Sequence, residues 1–278
     1  GAVVPPDGML VLNADDASLC AKSAGLAGRF GHCPPLAWFA ADADDPRLSA
    51  HRAGGGSTCG VRAGRLVLAH GGVEHDLGEI ARMPLTVGGR AAYNVANLAA
   101  AALAAVGLGV PAATVAGVFG RFGERVTDNP GRMMRFERNG VQVLVDYAHN
   151  PEGLAGLLEV ATSLRAEGGR LGLVLGHAGN REDSDIERLA ATAAQFAPAL
   201  VVVKELEGYL RGREPGEVPR ILREALLRAG LPGQSLPVHA TEIEAVRRAL
   251  EWGRPGDVLA LPVHGLAARA AVLELLQA

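Results

Sequence analysis

The sequence predicts an α/β protein: a Rossmann-like, parallel-sheet domain in the second half, preceded by a partial α/β domain with a small β-meander. Three observations carry this. Near-continuous apolar runs (Val141–Asp146, Leu171–Leu175, Leu200–Val203) alternate with amphipathic stretches, the pattern of parallel strands covered by helices on both faces. The polar stretch 123–130, GERVTDNP, ends in proline and separates two differently patterned halves. Before it, short β-prone runs are punctuated by glycine turns.

Met9–Asn13 is a short apolar run ending in Asn13-Ala14-Asp15-Asp16, a buried strand followed by an acidic loop, and Leu36–Ala40 is a second apolar run. From His51 to His75 the runs Cys59–Arg62 and Arg65–His70, set off by Gly54-Gly55-Gly56, read as the meander. Ala91–Val106 is rich in Ala and Leu without Gly or Pro and predicts a helix; Pro111 then opens another, Ala112–Phe119. Beyond the linker come strand Val141–Asp146, helix Glu152–Arg165, strand Leu171–Leu175, helix Asp185–Phe196 and strand Leu200–Val203. Helix Pro215–Arg228, a short strand near Pro237–His239, helix Glu242–Trp252, strand Val258–Leu261 and helix Ala267–Leu276 follow. The first half has fewer strands than a free-standing α/β domain usually has.

At 278 residues the chain accommodates two ordinary domains. A net charge of −3 gives no reason to expect nucleic acid or an anionic membrane as partner. Only Lys22 and Lys204 are lysines, so arginine supplies nearly all the positive charge. Cys20, Cys33 and Cys59 are odd in number and form no CxxC pair, which predicts neither a disulfide framework nor a zinc site. No run approaches a membrane span, and Gly1–Pro6 has neither a basic nor an apolar leader region; the expected location is the cytoplasm.

The most informative segment is 143–153, VLVDYAHNPEG. An apolar strand delivers Asp146, Tyr147, His149 and Asn150 at its C-terminal end, where open α/β sheets bind ligands, and Pro151 starts a helix. The same residues also suit a turn that caps that helix. Arg132 lies 14 residues before Asp146 and, as a guanidinium, can reach phosphate or ribose or stay a solvated charge. Asn94 and Asn97 share a helix face and can bond the edge of a base, or Asn94 can cap the helix. Gly176-His177-Ala178-Gly179-Asn180-Arg181 follows a strand and can accept a carboxylate or phosphate. Arg211 and Arg213, with Glu205 and Glu207, can read a charged substrate or form a solvated cluster. His32, His51, His70, His75, His239 and His264 show neither metal-ligand spacing nor a triad partner, and no metal site is expected.

In order, NADD after a strand, LTVGGRAAYNVANLAAAALAA, GRM and VDYAHNP resemble the Mur ligase family. The later segments LGHAGNREDSDI, YLRGREPGEV and EIEAVRRALEWGRPGDVL resemble its cyanophycin synthetase branch. The resemblance covers essentially the whole chain. It implies that 1–124 is part of the central ATP-binding domain and 131–278 the C-terminal Rossmann-like domain. It further implies that Asn94 and Asn97 contact adenine, Arg132 contacts ATP ribose or phosphate, and Asp146 binds ribose. His149 and Asn150 would line the catalytic cleft, and His177, Asn180, Arg181, Glu205, Arg211 and Arg213 would face the incoming amino acid. The implied chemistry is activation of a carboxylate by ATP and Mg2+ to an acyl phosphate, attack by an amine, and release of ADP and phosphate. The branch implies aspartate or arginine joined to an aspartate backbone.

The family's phosphate loop, G-x-x-G-K-[ST], is not found: Lys22 precedes Ser23 but follows Ala21, and Lys204 precedes Glu205. The expectation is therefore a C-terminal portion that supplies the adenosine side and the amino-acid domain, inactive until joined to a missing N-terminal half. The alternative is a non-catalytic Mur-like binding or assembly module, for which self-association would cover exposed sheet edges.

Overall fold

The computed structural model describes residues 4–5, 8–26, 28 and 34–277; His32 and Cys33 lie outside them. The chain separates into two compact units, Gly1–Arg125 and Val126–Ala278. Among the described residues no helix is long and apolar enough to cross a membrane.

In the first unit five strands run in the order β1 (Leu10–Asn13), β2 (Leu36–Asp42), β3 (Ser57–Arg62), β4 (Arg65–His70), β5 (Val73–Glu79). β1, β2 and β3 are parallel, and β3–β4–β5 form an antiparallel meander on the same sheet. Helix α1 (Ala17–Ser23) follows β1, with Asp16 accepting from Ser18 and Leu19 N–H. The meander starts later than the sequence pattern suggests, because 46–53 forms helix α2 (Pro46–Ala53). Asp45 caps that helix and Pro46 occupies its first turn, so His51 is helical. Helix α3 (Ala92–Gly107) lays Leu98, Ala99, Ala102, Leu103 and Val106 on Ala37, Cys59, Leu66 and Leu68 of the sheet. Helix α4 (Ala112–Phe119) adds Val115 and Phe119 to the same core.

The second unit holds a six-stranded sheet, β10-β9-β8-β11-β7-β6. These are β6 (Met134–Arg138), β7 (Val141–Asp146), β8 (Leu171–Leu175), β9 (Leu200–Lys204), β10 (Val238–His239) and β11 (Val258–Pro262). All pair in parallel except β6, an antiparallel edge strand. Sequence reasoning missed β6 although its signal was present. Asn139-Gly140, both at positive φ, make a two-residue hairpin into β7. The helices are α5 (Pro151–Leu164), α6 (Asp183–Gln195), α7 (Glu217–Arg228), α8 (Glu242–Trp252) and α9 (Leu266–Gln277). Every residue of β8, β9 and β11 is buried, as expected of strands covered on both faces. α8 contributes Ala245, Val246 and Ala249, and α9 Val272 and Leu276, to a core with Val143, Val145, Val174, Val202, Leu259 and Leu261.

β7 connects to β8 across the position that β11 fills, after which β9 and β10 are added outward. The loops leaving β7 and β8 therefore diverge around β11, which leaves a crevice at the strand C-termini, the place where such sheets bind ligands.

Candidate functional site

A cavity of about 260 Å³ occupies that crevice. Tyr147 and His149 come from the β7 exit, and Gly176, His177, Ala178, Asn180 and Arg181 from the β8 exit. Leu206, Tyr209 and Arg211 come from the β9 exit, and His264 from the β11 exit. The fold thus brings five of the residues given site roles from sequence, His149, His177, Asn180, Arg181 and Arg211, onto one wall system, with Tyr147, Tyr209 and His264 beside them.

The β8 and β9 exit loops are locked together. Gly179 N–H donates to Tyr209 O at 2.8 Å, and a Cβ on Gly179 would lie 1.9 Å from Leu210 O, so only glycine permits this approach. Arg213 clamps the same contact by donating to Gly179 O and Arg181 O at 3.0 and 2.7 Å, and by pairing with Asp183 and Glu217. Glu205 accepts from Gly216 N–H at 2.7 Å. Arg213 and Glu205, expected to face a substrate, are instead spent on shaping the loop, because all their charge is met within the protein. Neither lines the cavity.

Asn150 is similarly placed. Its Oδ1 accepts from Gly153 N–H at 2.8 Å as the N-cap of α5, the capping alternative that the sequence left open. Asp146 is 7% exposed, and its two oxygens accept from Met133 N–H at 2.7 Å and Ala148 N–H at 2.8 Å. It knits the 131–133 loop to the end of β7. Burial raises its carboxyl above the usual aspartate range, against the pull of the two backbone N–H groups and Arg132. Arg132 is exposed, with its guanidinium 4.9 Å over the Tyr147 ring. It thus stacks on a residue that lines the cavity, and its charge also acts on Asp146. In the first unit, Asn94 does not cap α3, which begins at Ala92 with no side-chain cap. Buried Asn94 donates to Leu85 O at 2.8 Å and accepts from Asn97 at 3.4 Å. Exposed Asn97 is the member of the pair available to a ligand.

The residues that sequence reading missed sit directly beneath the cavity. Lys204, fully buried at the end of β9, donates to Glu242, to Pro262 O at 2.5 Å and to His264 Nδ1 at 3.4 Å. Glu242 also accepts from His264 and Gly265 N–H at 3.0 and 2.7 Å, capping α9 with a carboxylate. His264 Nε2 donates to Ala148 O at 3.1 Å, and its ring meets Tyr147 edge-on at 5.2 Å. The ring is therefore neutral, with Nδ1 accepting from Lys204. Burial also keeps His264 and His177 below the usual histidine range. Burial works against the Glu242 charge, but His264 and the Lys204 ammonium override it and pull that carboxyl down to about 2. Gly176 belongs to the same design, since a Cβ there would lie 2.8 Å from Lys204 Cγ.

These shifts set a pH dependence. The unfolded chain takes up protons at His177 and His264 once pH falls below about 6.5, while the folded state refuses them. The contribution of these two histidines is thus constant above 6.5 and falls below it, by up to about 1.4 kcal/mol per pH unit for His264. Glu242 adds a second loss below 4.5 as pH approaches 2; the raised Asp146 opposes it only in the acid range. Urea midpoints at pH 8, 6 and 5 check this: a midpoint unchanged between 8 and 5 would exclude neutral buried histidines.

Comparison with known proteins follows the geometry. The family described as "Mur ligase, glutamate ligase domain" matches residues 131–261. Cyanophycin synthetase of Synechocystis sp. is 30% identical over 249 residues, 90% of this chain and 27% of that protein. UDP-N-acetylmuramoyl-L-alanyl-D-glutamate--2,6-diaminopimelate ligase of Alkalilimnicola ehrlichii is 32% identical over 251 residues, 84% of this chain and 47% of the relative. The chain therefore spans between about a quarter and a half of the length of these relatives. Among solved structures, Mycobacterium tuberculosis folylpolyglutamate synthase complexed with ADP is 17% identical with a TM-score of 0.57, covering 97% of this chain and 63% of that one. At that identity the likeness shows the shared fold.

Proposed function

We propose that this chain, whose residues 131–261 match the family described as "Mur ligase, glutamate ligase domain", is the amino-acid-accepting portion of an ATP-dependent carboxylate–amine ligase. The observation that carries the reading is the cavity at the diverging ends of β7, β8 and β11, walled by the guanidiniums of Arg181 and Arg211 and the imidazoles of His149, His177 and His264. In this reading Arg181 and Arg211 hold the carboxylate of the incoming amino acid, as forked guanidiniums do. His149, exposed on the rim with Nδ1 3.2 Å from Tyr147 O, takes the proton that the attacking amine loses. Tyr147, His264 and Leu206 exclude water from the inner wall.

ATP, when bound, supplies the phosphoryl group that activates the carboxylate. Within the second unit, exposed Arg132, stacked on Tyr147, has the chemistry to meet a phosphate. Asp146 fits ribose poorly, because both its oxygens already accept backbone N–H groups. Among the described residues no three His, Cys, Asp or Glu side chains gather to hold a metal, so no step is assigned to a magnesium ion held by this chain. The phosphate cradle and the rest of the active site would come from protein sequence beyond this chain, as the longer relatives suggest.

Saturation-transfer NMR on the purified chain with a mixture of free amino acids tests the reading. At least one amino acid should give transfer signals, and His177→Ala should abolish them. An absence of signal for every amino acid at millimolar concentration, with or without Mg-ATP, would remove the amino-acid site and favour the non-catalytic module.

A further inference from the structure

A second cavity, of about 330 Å³, lies at the other end of the second unit's sheet. Arg138 and Asn139 reach it from the β6–β7 hairpin, Arg247, Leu250 and Glu251 from the last turns of α8, and Leu275 from the end of α9. The hairpin precedes β7, so this cavity opens at the strand N-termini and shares no lining residue with the crevice. Leu250 and Leu275 pack against the core that holds Val141, Ala249 and Leu276, and their half-exposed outer sides give the cavity an apolar floor. Arg138 donates through Nη1 to Leu275 O and so sets a cation at the C-terminus of α9. Neither Arg138 nor Arg247 pairs with a carboxylate among the described residues, whereas Arg220 and Arg228 on α7 both do. Exposed Glu251, one turn along α8 from Arg247, is the sole carboxylate among the lining residues.

We infer that this cavity binds a small monocarboxylate with a short apolar tail, at a site separate from the crevice. The acid group meets two guanidiniums that no protein carboxylate neutralises, and a carboxylate is the anion that a guanidinium fork matches with two parallel hydrogen bonds. The tail covers Leu250 and Leu275 and takes their outer surface out of water. Small-molecule pockets run from roughly 300 to 1,000 Å³, so a cavity at the low end of that range limits the tail to a few carbons. Glu251 sets the charge of the ligand. Two guanidiniums and one carboxylate leave a single net positive charge, which suits a monoanion, while a cation meets like charge. Because the two cavities have no residue in common, the inference does not rest on the amino-acid reading of the crevice.

Proton–nitrogen correlation spectra of the full chain, recorded during titration with sodium hexanoate at fixed ionic strength, test this. Hexanoate should shift the amides of Arg138, Asn139, Leu250, Glu251 and Leu275 in a saturable way. It should bind roughly ten-fold or more tighter than acetate, hexanamide or hexylamine, which lack the tail, the charge or its sign. Arg247 is exposed, so Arg247→Gln should leave the melting temperature in place. The same variant should weaken hexanoate by about ten-fold or more. Glu251→Gln removes the opposing charge and should tighten hexanoate about two- to three-fold, a gain that damage to the fold would not produce. Saturable shifts confined to the crevice, around Tyr147 and His177, would put the acid in the other cavity and overturn the inference. Hexanamide binding as tightly as hexanoate, full affinity in Arg247→Gln, or no saturable shift at tens of millimolar hexanoate would each overturn it as well.

Discussion

Lys204→Met should destabilise the second unit by about 3–5 kcal/mol, because it strands the Glu242 carboxylate in a buried site with no cation. For a protein of this size that corresponds to a fall in melting temperature of about 6–20 °C. Methionine matches the lysine stem in volume, so the loss reports charge rather than a cavity. Glu242→Gln in the same chain should recover a large part of the loss: it removes the stranded charge while keeping a carbonyl to accept the His264 and Gly265 N–H groups. Differential scanning calorimetry of the single and double variants decides the matter. If the double variant is no more stable than Lys204→Met, the pair does not act as a unit. The effect should extend to the cavity, because Lys204 joins the β9 end to Pro262 O and to His264, a cavity residue.

The second large effect is expected at Asp146. Alanine there leaves the Met133 and Ala148 N–H groups without acceptors in a buried site, at about 1–3 kcal/mol each. A total loss of about 2–6 kcal/mol should appear as a lower urea midpoint. Arg132→Ala, on the exposed rim, should change stability by less than about 0.5 kcal/mol. The contrast matters for any nucleotide-binding experiment. Failure of Asp146→Ala to bind would report a collapsed 131–133 loop as readily as a lost ribose contact, whereas failure of Arg132→Ala would report the contact itself. Equal stability of Asp146→Ala and wild type would mean that the carboxylate is not structural.

The parts of the site legible in the sequence were those carried by local pattern. A buried strand followed by a small-residue loop and a helix places VDYAHNP and GHAGNR at strand exits without any knowledge of their neighbours, and His149, His177, Asn180 and Arg181 of the cavity were found that way. Where the reading went astray, a side chain had two possible partners. Arg213, Glu205 and Asn150 are polar residues in the right loops, but whether such a group faces a ligand or a backbone atom is decided by the folded chain around it, for Arg213 by Gly179, 34 residues away. The hairpin strand β6 was lost for a different reason. Only five residues long and on a sheet edge, it carries a weak alternation that the Asn139-Gly140 turn could have rescued.

By itself the sequence determined the α/β class of this protein, the order of nearly all its strands and helices, and the loops from which a site would be built, because hydrophobic periodicity and turn chemistry act over a few residues. Only the tertiary structure decided that Lys204, one of two lysines, meets Glu242 38 residues on and His264 60 residues on, directly beneath the cavity. It also decided that two loops touch so closely at Gly179 and Leu210 that the cavity acquires its walls. Those contacts follow from strand order, which sets β11 between β7 and β8, and strand order is fixed by the packing of distant segments that no local pattern encodes.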